Sequence, residues 1–292
     1  MTIGLIGLVG LGIMGTAYAK NFIAAGQSVA GADPSEDARV RCAALGAEVY
    51  ETTGCWLREC DIVITSLVSP TVLQDVATAL ARELSPGQVV VETGTFSMSD
   101  KQKARNVLEA AGVILLDCTI SGTGVQADNK DIIFMASGPN DAKNTARPFL
   151  EMISKKVIDA GDFGGGTRLK LVANHAVALH NVAAAETLNY AVKMGLDKDV
   201  VYDLLSTGAG QSKMSDLRMP LMMSGAYEPA TATLMMFKKD LQIIADDIKQ
   251  TGAHAPLFDA CVDLYKQADA ALPECLDTAS VYEIYSKTLK QR

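Results

Sequence analysis

The chain has 292 residues, enough for one large hydrophobic core or two modest ones. Hydrophobic residues make up 49% and charged residues 21%, the proportions of a soluble globular protein. The net charge of −8 argues against a nucleic-acid partner, because gripping phosphates calls for a basic surface.

From the N-terminus to about residue 160, short runs rich in valine and isoleucine alternate with amphipathic stretches. "IGLIGLV", "SVAGAD", "DIVITSL", "GQVVVET", "GVILLD" and "DIIFMASG" predict buried parallel strands. Between them, "TVLQDVATALARELS" and "MSDKQKARNVLEAAG" predict helices that end at the turn signals "SPG" and "AAG". This alternation implies βαβ units and a doubly wound sheet. After residue 163 the pattern changes. Thr167 to Met194 predicts a single helix of about 42 Å, at 1.5 Å per residue. Its middle, "LVANHAVALHNVAAAETLNYAV", is apolar on nearly every face and is expected to be buried all round, with Gly195 as its C-cap. "KDVVYDLLSTG", "TLMMFKKDLQIIADDIKQTG", "APLFDACVDLYKQADAAL" and "TASVYEIYSKTLKQ" continue the helical pattern without a strand. The expected architecture is an α/β domain of the Rossmann type over residues 1–163, followed by an all-α domain over 164–292 that a long helix joins to it.

The loop "GLGIMG" (Gly10, Leu11, Gly12, Ile13, Met14, Gly15) has the spacing G-x-G-x-x-G, follows the first predicted strand and opens a helix. Gly10 permits the tight turn, Gly12 lets backbone approach a pyrophosphate, and Gly15 lets the helix pack on the strand. The helix N-terminus then offers amide donors and partial positive charge to phosphates. The second predicted strand ends in Asp33, where a carboxylate accepts hydrogen bonds from the adenosine ribose and repels a 2′-phosphate. These residues predict a dinucleotide cofactor, NAD in preference to NADP.

In "GGGTRLKLVANH" a lysine interrupts an apolar helix, and Lys170 and Asn174, four residues apart, share one face. Such a lysine either snorkels, its stem packed and its ammonium in water, or serves chemistry. Hydride transfer to or from a carbonyl needs a proton donor or acceptor beside the oxygen, and a lysine whose pKa burial has lowered can supply it.

At these residues the chain resembles the β-hydroxyacid dehydrogenases, 3-hydroxyisobutyrate dehydrogenase and its relatives, over nearly its full length. "VGLGIMG" is similar to that family's cofactor loop, "DCTISGTGVQA" to its substrate loop, "GGGTRLKLVANH" to its catalytic helix and "FKKDL" to its late Lys-Asp-Leu motif. The resemblance implies that Lys170 is the general acid/base and that Asn174 holds the substrate. It implies that Ser121 and Gly122 bind the substrate carboxylate, with Thr123 beside them. Lys239 would lie near nicotinamide and substrate with Asp240 as its helical neighbour, Thr95 near the nicotinamide ribose, and Leu67 and Val68 along the cofactor groove. The family's loop usually reads Asp-Ala-Pro-Val-Ser-Gly-Gly, whereas here Thr123 replaces the second glycine. Val68 and Met98 also stand where proline is common. The hydroxyl of Thr123 is expected to favour a polar hydroxylated acid over one bearing a bare methyl.

The implied activity is NAD(P)-dependent oxidation of a small 3-hydroxy acid. The alternatives are an oxidative decarboxylase of the 6-phosphogluconate dehydrogenase type, an imine reductase, or a non-catalytic NAD-binding protein. His175, His180 and His254 make no metal pattern and are expected in core or interface positions. The methionines of "RMPLMMSG" and "LMMF" are expected to pack, those near "FKKDL" being also able to touch substrate. Six cysteines without a C-x-x-C pair, and an N-terminus without a basic region or cleavage site, predict reduced thiols, no bound metal and a cytoplasmic protein without a membrane anchor. The apolar long helix predicts a homodimer or homotetramer.

Overall fold

The apolar runs become strands because each buries alternate residues on both of its faces. In β1 (Leu5–Val9), β4 (Ile62–Thr65) and β5 (Val89–Glu92), the residues Ile6, Leu8, Ile62, Ile64, Val89 and Val91 enter one core layer. Val9, Val63 and Val90 enter the layer on the opposite face. A strand covered on both faces has no polar side, which is why these runs read as unbroken hydrophobic stretches.

The computed structural model describes residues 4–287, and the chain divides into two compact units, Met1–Lys170 and Leu171–Arg292. The first contains one eight-stranded sheet. To the three strands above it adds β2 (Ser28–Ala32), β3 (Glu48–Tyr50), β6 (Ile114–Ser121), β7 (Ile133–Ser137) and β8 (Lys156–Asp159). Their spatial order is β3-β2-β1-β4-β5-β6-β7-β8. The strand order reverses between β1 and β4, the topological switch point where doubly wound folds bind ligands at the C-terminal strand ends. The connecting helices are α1 (Ile13–Ala24), α2 (Glu36–Ala44), α3 (Pro70–Glu83), α4 (Met98–Ala110), α5 (Gly124–Asp128) and α6 (Asn140–Met152). Ser35, Ser69 and Ser97 start α2, α3 and α4 by accepting backbone N–H bonds on their hydroxyls.

Three features differ from expectation. "DIIFMASG" forms β7 but runs antiparallel to β6. Residues 122–132 between them are too few for the dozen or more that a parallel crossover needs. β3 and β8 were not expected; both are short, charged strands at the sheet edges, where exposure on one side weakens the apolar signal. β6 also continues beyond Asp117 to Ser121, so "DCTIS" is strand, not loop.

The long helix is α7 (Gly165–Lys193), and its first six residues belong to the first unit. The expected burial all round is not met. Leu171, Ala178 and Ala185 recur on a buried face, while Val172 and Tyr190 are 67% and 65% exposed. The second unit continues with α8 (Lys198–Thr207), α9 (Lys213–Ser224), α10 (Leu234–Thr251), α11 (Pro256–Ala271) and α12 (Tyr282–Lys287). The last residues of "TASVYEIYSKTLKQ" lie outside the described residues. Among the described residues of this unit the only β-pairing is an isolated bridge between Thr233 and Asp277. Met219 and Met222 pack in its core as expected, whereas Met235 and Met236 are exposed. No described helix is long and apolar enough to cross a membrane.

Candidate functional site

The glycine loop is built by close approach. Gly10 has φ +93°, and a Cβ on it would stand 2.2 Å from the carbonyl oxygen of Ser66. A Cβ on Gly15 would stand 1.9 Å from the Gly10 oxygen, so α1 can seat against the loop only if this residue is glycine. At Gly12 a Cβ would meet nothing within 4 Å. Its backbone therefore faces open space at the head of the twelve-residue α1, the cradle a pyrophosphate requires. The loop residues and a dinucleotide fit one another.

Asp33, just beyond β2, accepts the Leu11 amide on Oδ2 at 2.7 Å and the Ser35 amide on Oδ1 at 2.8 Å. The Arg39 guanidinium donates to the carbonyls of Asp33 (2.8 Å) and Pro34 (2.9 Å). Leu11 contributes backbone to this loop, but its side chain is fully buried beneath Gly31 as part of the core. Ile13 and Val68 are exposed, and Met14 and Leu67 pack partly against the core layers. Thr95 is half-buried in the loop between β5 and α4.

Ser121 closes β6, opposite Ile133 in the ladder. Gly122 has φ +138°, and a Cβ there would lie 2.6 Å from Ile132 Cγ2, so only glycine suits this position. Thr123 is the N-cap of α5: its amide donates to Gln126 Oε1 at 3.0 Å, and its hydroxyl lies 3.3 Å from the same oxygen. β1, β2, β4, β5 and β6 are parallel, so Gly10, Asp33, Leu67 and Thr95 follow strands, and Ser121 closes one, at the same C-terminal end of the sheet.

Lys170 is half-buried on α7, whose first turn is part of this unit. The three glycines before it are explained by contact. A Cβ on Gly165 would lie 1.8 Å from the Ala160 oxygen, and one on Gly166 would lie 2.4 Å from the Met135 oxygen and 2.6 Å from that of Asp117. Gly164 has φ +94°. Here the structure adds residues that the sequence reading missed. Asp117 accepts the Thr167 amide on Oδ2 (2.7 Å) and the Thr167 hydroxyl on Oδ1 (3.0 Å). Lys101 of α4 stands between Asp117 Oδ1 (2.5 Å) and Glu92 Oε2 (2.7 Å), with all three side chains at most 1% exposed. Burial drives the Glu92 carboxyl above the usual range, with the Lys101 charge opposing it. Burial also disfavours the Lys101 cation, but the carboxylates of Glu92 and Asp117 outweigh it and hold the amine above the usual lysine range.

In the second unit, Asn174 is buried and its Nδ2 donates to Asp240 Oδ2 at 2.8 Å. Lys239 Nζ lies 3.7 Å from Asp240 Oδ1. Asn174, Lys239 and Asp240 are thus brought together, α10 burying Phe237, Leu241 and Ile244 on its core face to orient the pair. His175 stacks on Phe258 with ring centroids 4.9 Å apart, as a core histidine would. His254 is exposed, so it is not a core histidine. His180 is also exposed and borders a cavity of about 180 Å³ with Thr187, Gln211, Ser212 and Ser215.

Comparison with known proteins agrees with this geometry. Residues 5–161 match the family model described as the NAD binding domain of 6-phosphogluconate dehydrogenase. Residues 164–285 match the one described as NAD-binding of NADP-dependent 3-hydroxyisobutyrate dehydrogenase. The chain is 31% identical to an L-threonate dehydrogenase of Escherichia coli over 96% of its own length and 94% of that protein's. It is similar to the 3-hydroxyisobutyrate dehydrogenase of Mycobacterium tuberculosis, whose structure includes L-serine, with a TM-score of 0.89 and 28% identity over 97% of this chain and 99% of that one. The 3-hydroxyisobutyrate dehydrogenase of Salmonella typhimurium aligns with a TM-score of 0.86 and 29% identity over 96% and 99%. The chain belongs to the β-hydroxyacid dehydrogenase family, that of the 3-hydroxyisobutyrate and L-threonate dehydrogenases, and is an NAD(P)-dependent oxidoreductase acting on the CH–OH group of a 3-hydroxy acid.

Proposed function

We propose that the enzyme uses NAD to oxidise a small hydroxy acid carrying a further hydroxyl, with Lys170 as general acid/base. Bound nicotinamide supplies the hydride acceptor. In oxidation the neutral Lys170 amine takes the proton of the substrate hydroxyl, and in reduction it returns it. Ser121 and the Gly122 backbone receive the substrate carboxylate beside Thr123, and Asn174 and Lys239 orient the remainder. The observation that carries the reading is the seat of α7: the helix bearing Lys170 begins with glycines pressed against backbone and a threonine bonded to β6. NAD is favoured because Asp33 presents a carboxylate beside the glycine loop, while the nearby Arg39 donates to main-chain carbonyls. Gly12, Ile13 and Met14 would border the pyrophosphate, with Thr95, Leu67, Val68, Lys239 and Asp240 towards the nicotinamide. A further hydroxyl on the substrate is favoured because Ser121 and Thr123 bring two hydroxyls to the loop, and the relatives named L-threonate dehydrogenase fit that class.

Turnover of L-threonate, glycerate and 3-hydroxyisobutyrate with NAD and NADP tests substrate and cofactor together. The expected result is a higher kcat/KM for L-threonate or glycerate than for 3-hydroxyisobutyrate, and for NAD than for NADP. Equal or better use of 3-hydroxyisobutyrate overturns the substrate assignment. In Lys170→Ala, kcat is expected to fall roughly 10²–10⁴-fold with NAD affinity unchanged. Near-normal turnover in that variant removes Lys170 from the mechanism. The same reading includes a homo-oligomer, supported by the exposed Val200 and Leu204 one turn apart on α8, and light scattering showing a monomer contradicts it.

A further inference from the structure

Glu92, Lys101 and Asp117 lie entirely out of water, on β5, α4 and β6. Two carboxylates around one ammonium leave a single net negative charge. The Thr167 amide, in the first turn of α7, donates to Asp117 at the end of a helix that favours an anion. One bond out of this cluster goes to the Gly94 amide, which donates to Glu92 Oε1 at 2.6 Å, and the others lead through Ser137 and Thr167 to the start of α7. Thr167 binds Asp117 through both its amide and its hydroxyl. The Gly166 amide donates to Ser137 Oγ at 3.0 Å, and the Ser137 hydroxyl donates to the Asp117 carbonyl at 2.8 Å. The Thr119 hydroxyl donates to the Gly166 carbonyl at 2.6 Å.

We infer that Thr167 is a positioning residue for Lys170, and that the buried Lys101 orients Asp117 so that Asp117 can grip Thr167. This rests on the reading of Lys170 as the general acid/base. Thr167 and Lys170 are three residues apart on α7, on adjoining parts of one face, so fixing the rotation of the first fixes that of the second. Stability alone does not call for such a device, because apolar residues of similar volume commonly stabilise a core as well as a buried ion pair does. The directional bonds instead settle an angle. At the 5–6 Å radius that helix side chains reach, about 10° of rotation moves their tips by about 1 Å. A misplacement of about 1 Å can cost about 10²-fold in rate. The backbone contacts of Gly165 and Gly166 set how deep the helix end sits, and Thr167 sets how it is turned.

The test compares Thr167→Val, Thr167→Ser, Thr119→Val and Lys170→Ala, using NAD and whichever of L-threonate, glycerate and 3-hydroxyisobutyrate the wild type oxidises fastest. Asp117 keeps Lys101 and the backbone amide in Thr167→Val. Its kcat is therefore expected to fall about 10–100-fold, with KM for NAD changed by no more than about twofold. Substrate deuterated at the oxidised carbon is expected to show a larger isotope effect on kcat than with wild type, since a misaimed base slows the chemical step. Thr167→Ser restores the hydroxyl and is expected to return kcat to within about threefold of wild type. Unchanged kcat and isotope effect in Thr167→Val, or failure of serine to rescue, overturns the inference. Should Thr167→Val not fold, Thr119→Val decides by the same two readouts. Near-normal turnover in Lys170→Ala means the acid/base reading itself has failed. An inactive Lys170→Ala beside a normal Thr167→Val means that only the positioning has.

Discussion

Replacing Lys101 with methionine keeps most of the length of the side chain and deletes its charge. The ammonium now lies 2.7 Å from Glu92 and 2.5 Å from Asp117, so the variant leaves two buried carboxylates without their cation. Removing one partner of a buried pair costs about 3–5 kcal/mol. At about 2–4 °C per kcal/mol for a unit of this size, the melting temperature is expected to drop by roughly 6–20 °C. The chain has a single tryptophan, Trp56, in the first unit, so its fluorescence during urea unfolding reports on the affected core. The pH dependence carries the sharper signature. Burial raises Glu92 in the folded protein, so the folded state holds a proton that the unfolded state releases, and stability declines as pH rises across that window. Without Lys101 the influence opposing this rise is gone, and the window extends upward. Above the usual carboxylate range the variant is expected to gain stability on acidification more steeply than wild type, by up to about 1.4 kcal/mol per pH unit for each proton. Lys101 adds no slope of its own there, because its raised pKa keeps its contribution intact until strongly alkaline pH. Adding Glu92→Gln to the variant returns the cluster to one negative charge and is expected to recover about half the loss or more. A destabilisation below about 1 kcal/mol, or equal pH slopes in variant and wild type, refutes the reasoning.

Two further predictions concern the cofactor loop. In Gly15→Ala the new Cβ would sit 1.9 Å from a backbone oxygen, so the loop must move. The thermal shift with NAD is expected to vanish and NADH affinity to weaken at least about tenfold; unchanged affinity counts against the proposed cradle. In Asp33→Ala the bonds to the Leu11 and Ser35 amides are lost together with the charge that opposes a 2′-phosphate. The ratio of kcat/KM for NAD over NADP is expected to fall about tenfold or more, and an unaltered ratio removes Asp33 from cofactor choice.

Much of the first unit was legible because its signals are local. Buried strands read as unbroken apolar runs, and G-x-G-x-x-G between a strand and a helix marks a turn that requires glycine at Gly10 and Gly15. The direction of β7 was not legible from its own residues, since the length of the preceding connection decides it. Leu11 counted as a cofactor residue through its place in the motif, although its side chain serves the core. The Thr123–Gln126 cap was visible as Thr-x-x-Gln but is easily read as part of a substrate motif. Lys101 left a trace: it shares the buried face of α4 with Ala104 and Leu108, at spacings of three and seven. A charge there demanded partners, but their identity lay in β5 and β6, beyond the reach of periodicity. Arg218 and Asp277, 2.6 Å apart and buried, are separated by 59 residues and gave no sequence signal at all.

Each unit therefore contains a buried ionic contact between different elements, and the physical reason is the same in both. Asp277 Oδ2 accepts the guanidinium of Arg218 and also the Thr231 amide at 3.0 Å, fixing the segment that leads into α10. Apolar packing is non-directional, so a helix seated by it alone tolerates small rotations at little cost. Hydrogen bonds weaken steeply once their angle falls below about 120°, and a buried charge that loses its partner is more costly still. Such contacts admit one orientation where hydrophobic contact admits a range. The first turn of α7 and the approach to α10 carry this restriction immediately before Lys170 and the Lys239–Asp240 pair, the residues of the proposed site. Hydrophobic burial decides that these helices fold against their units, and the buried charges decide at which angle.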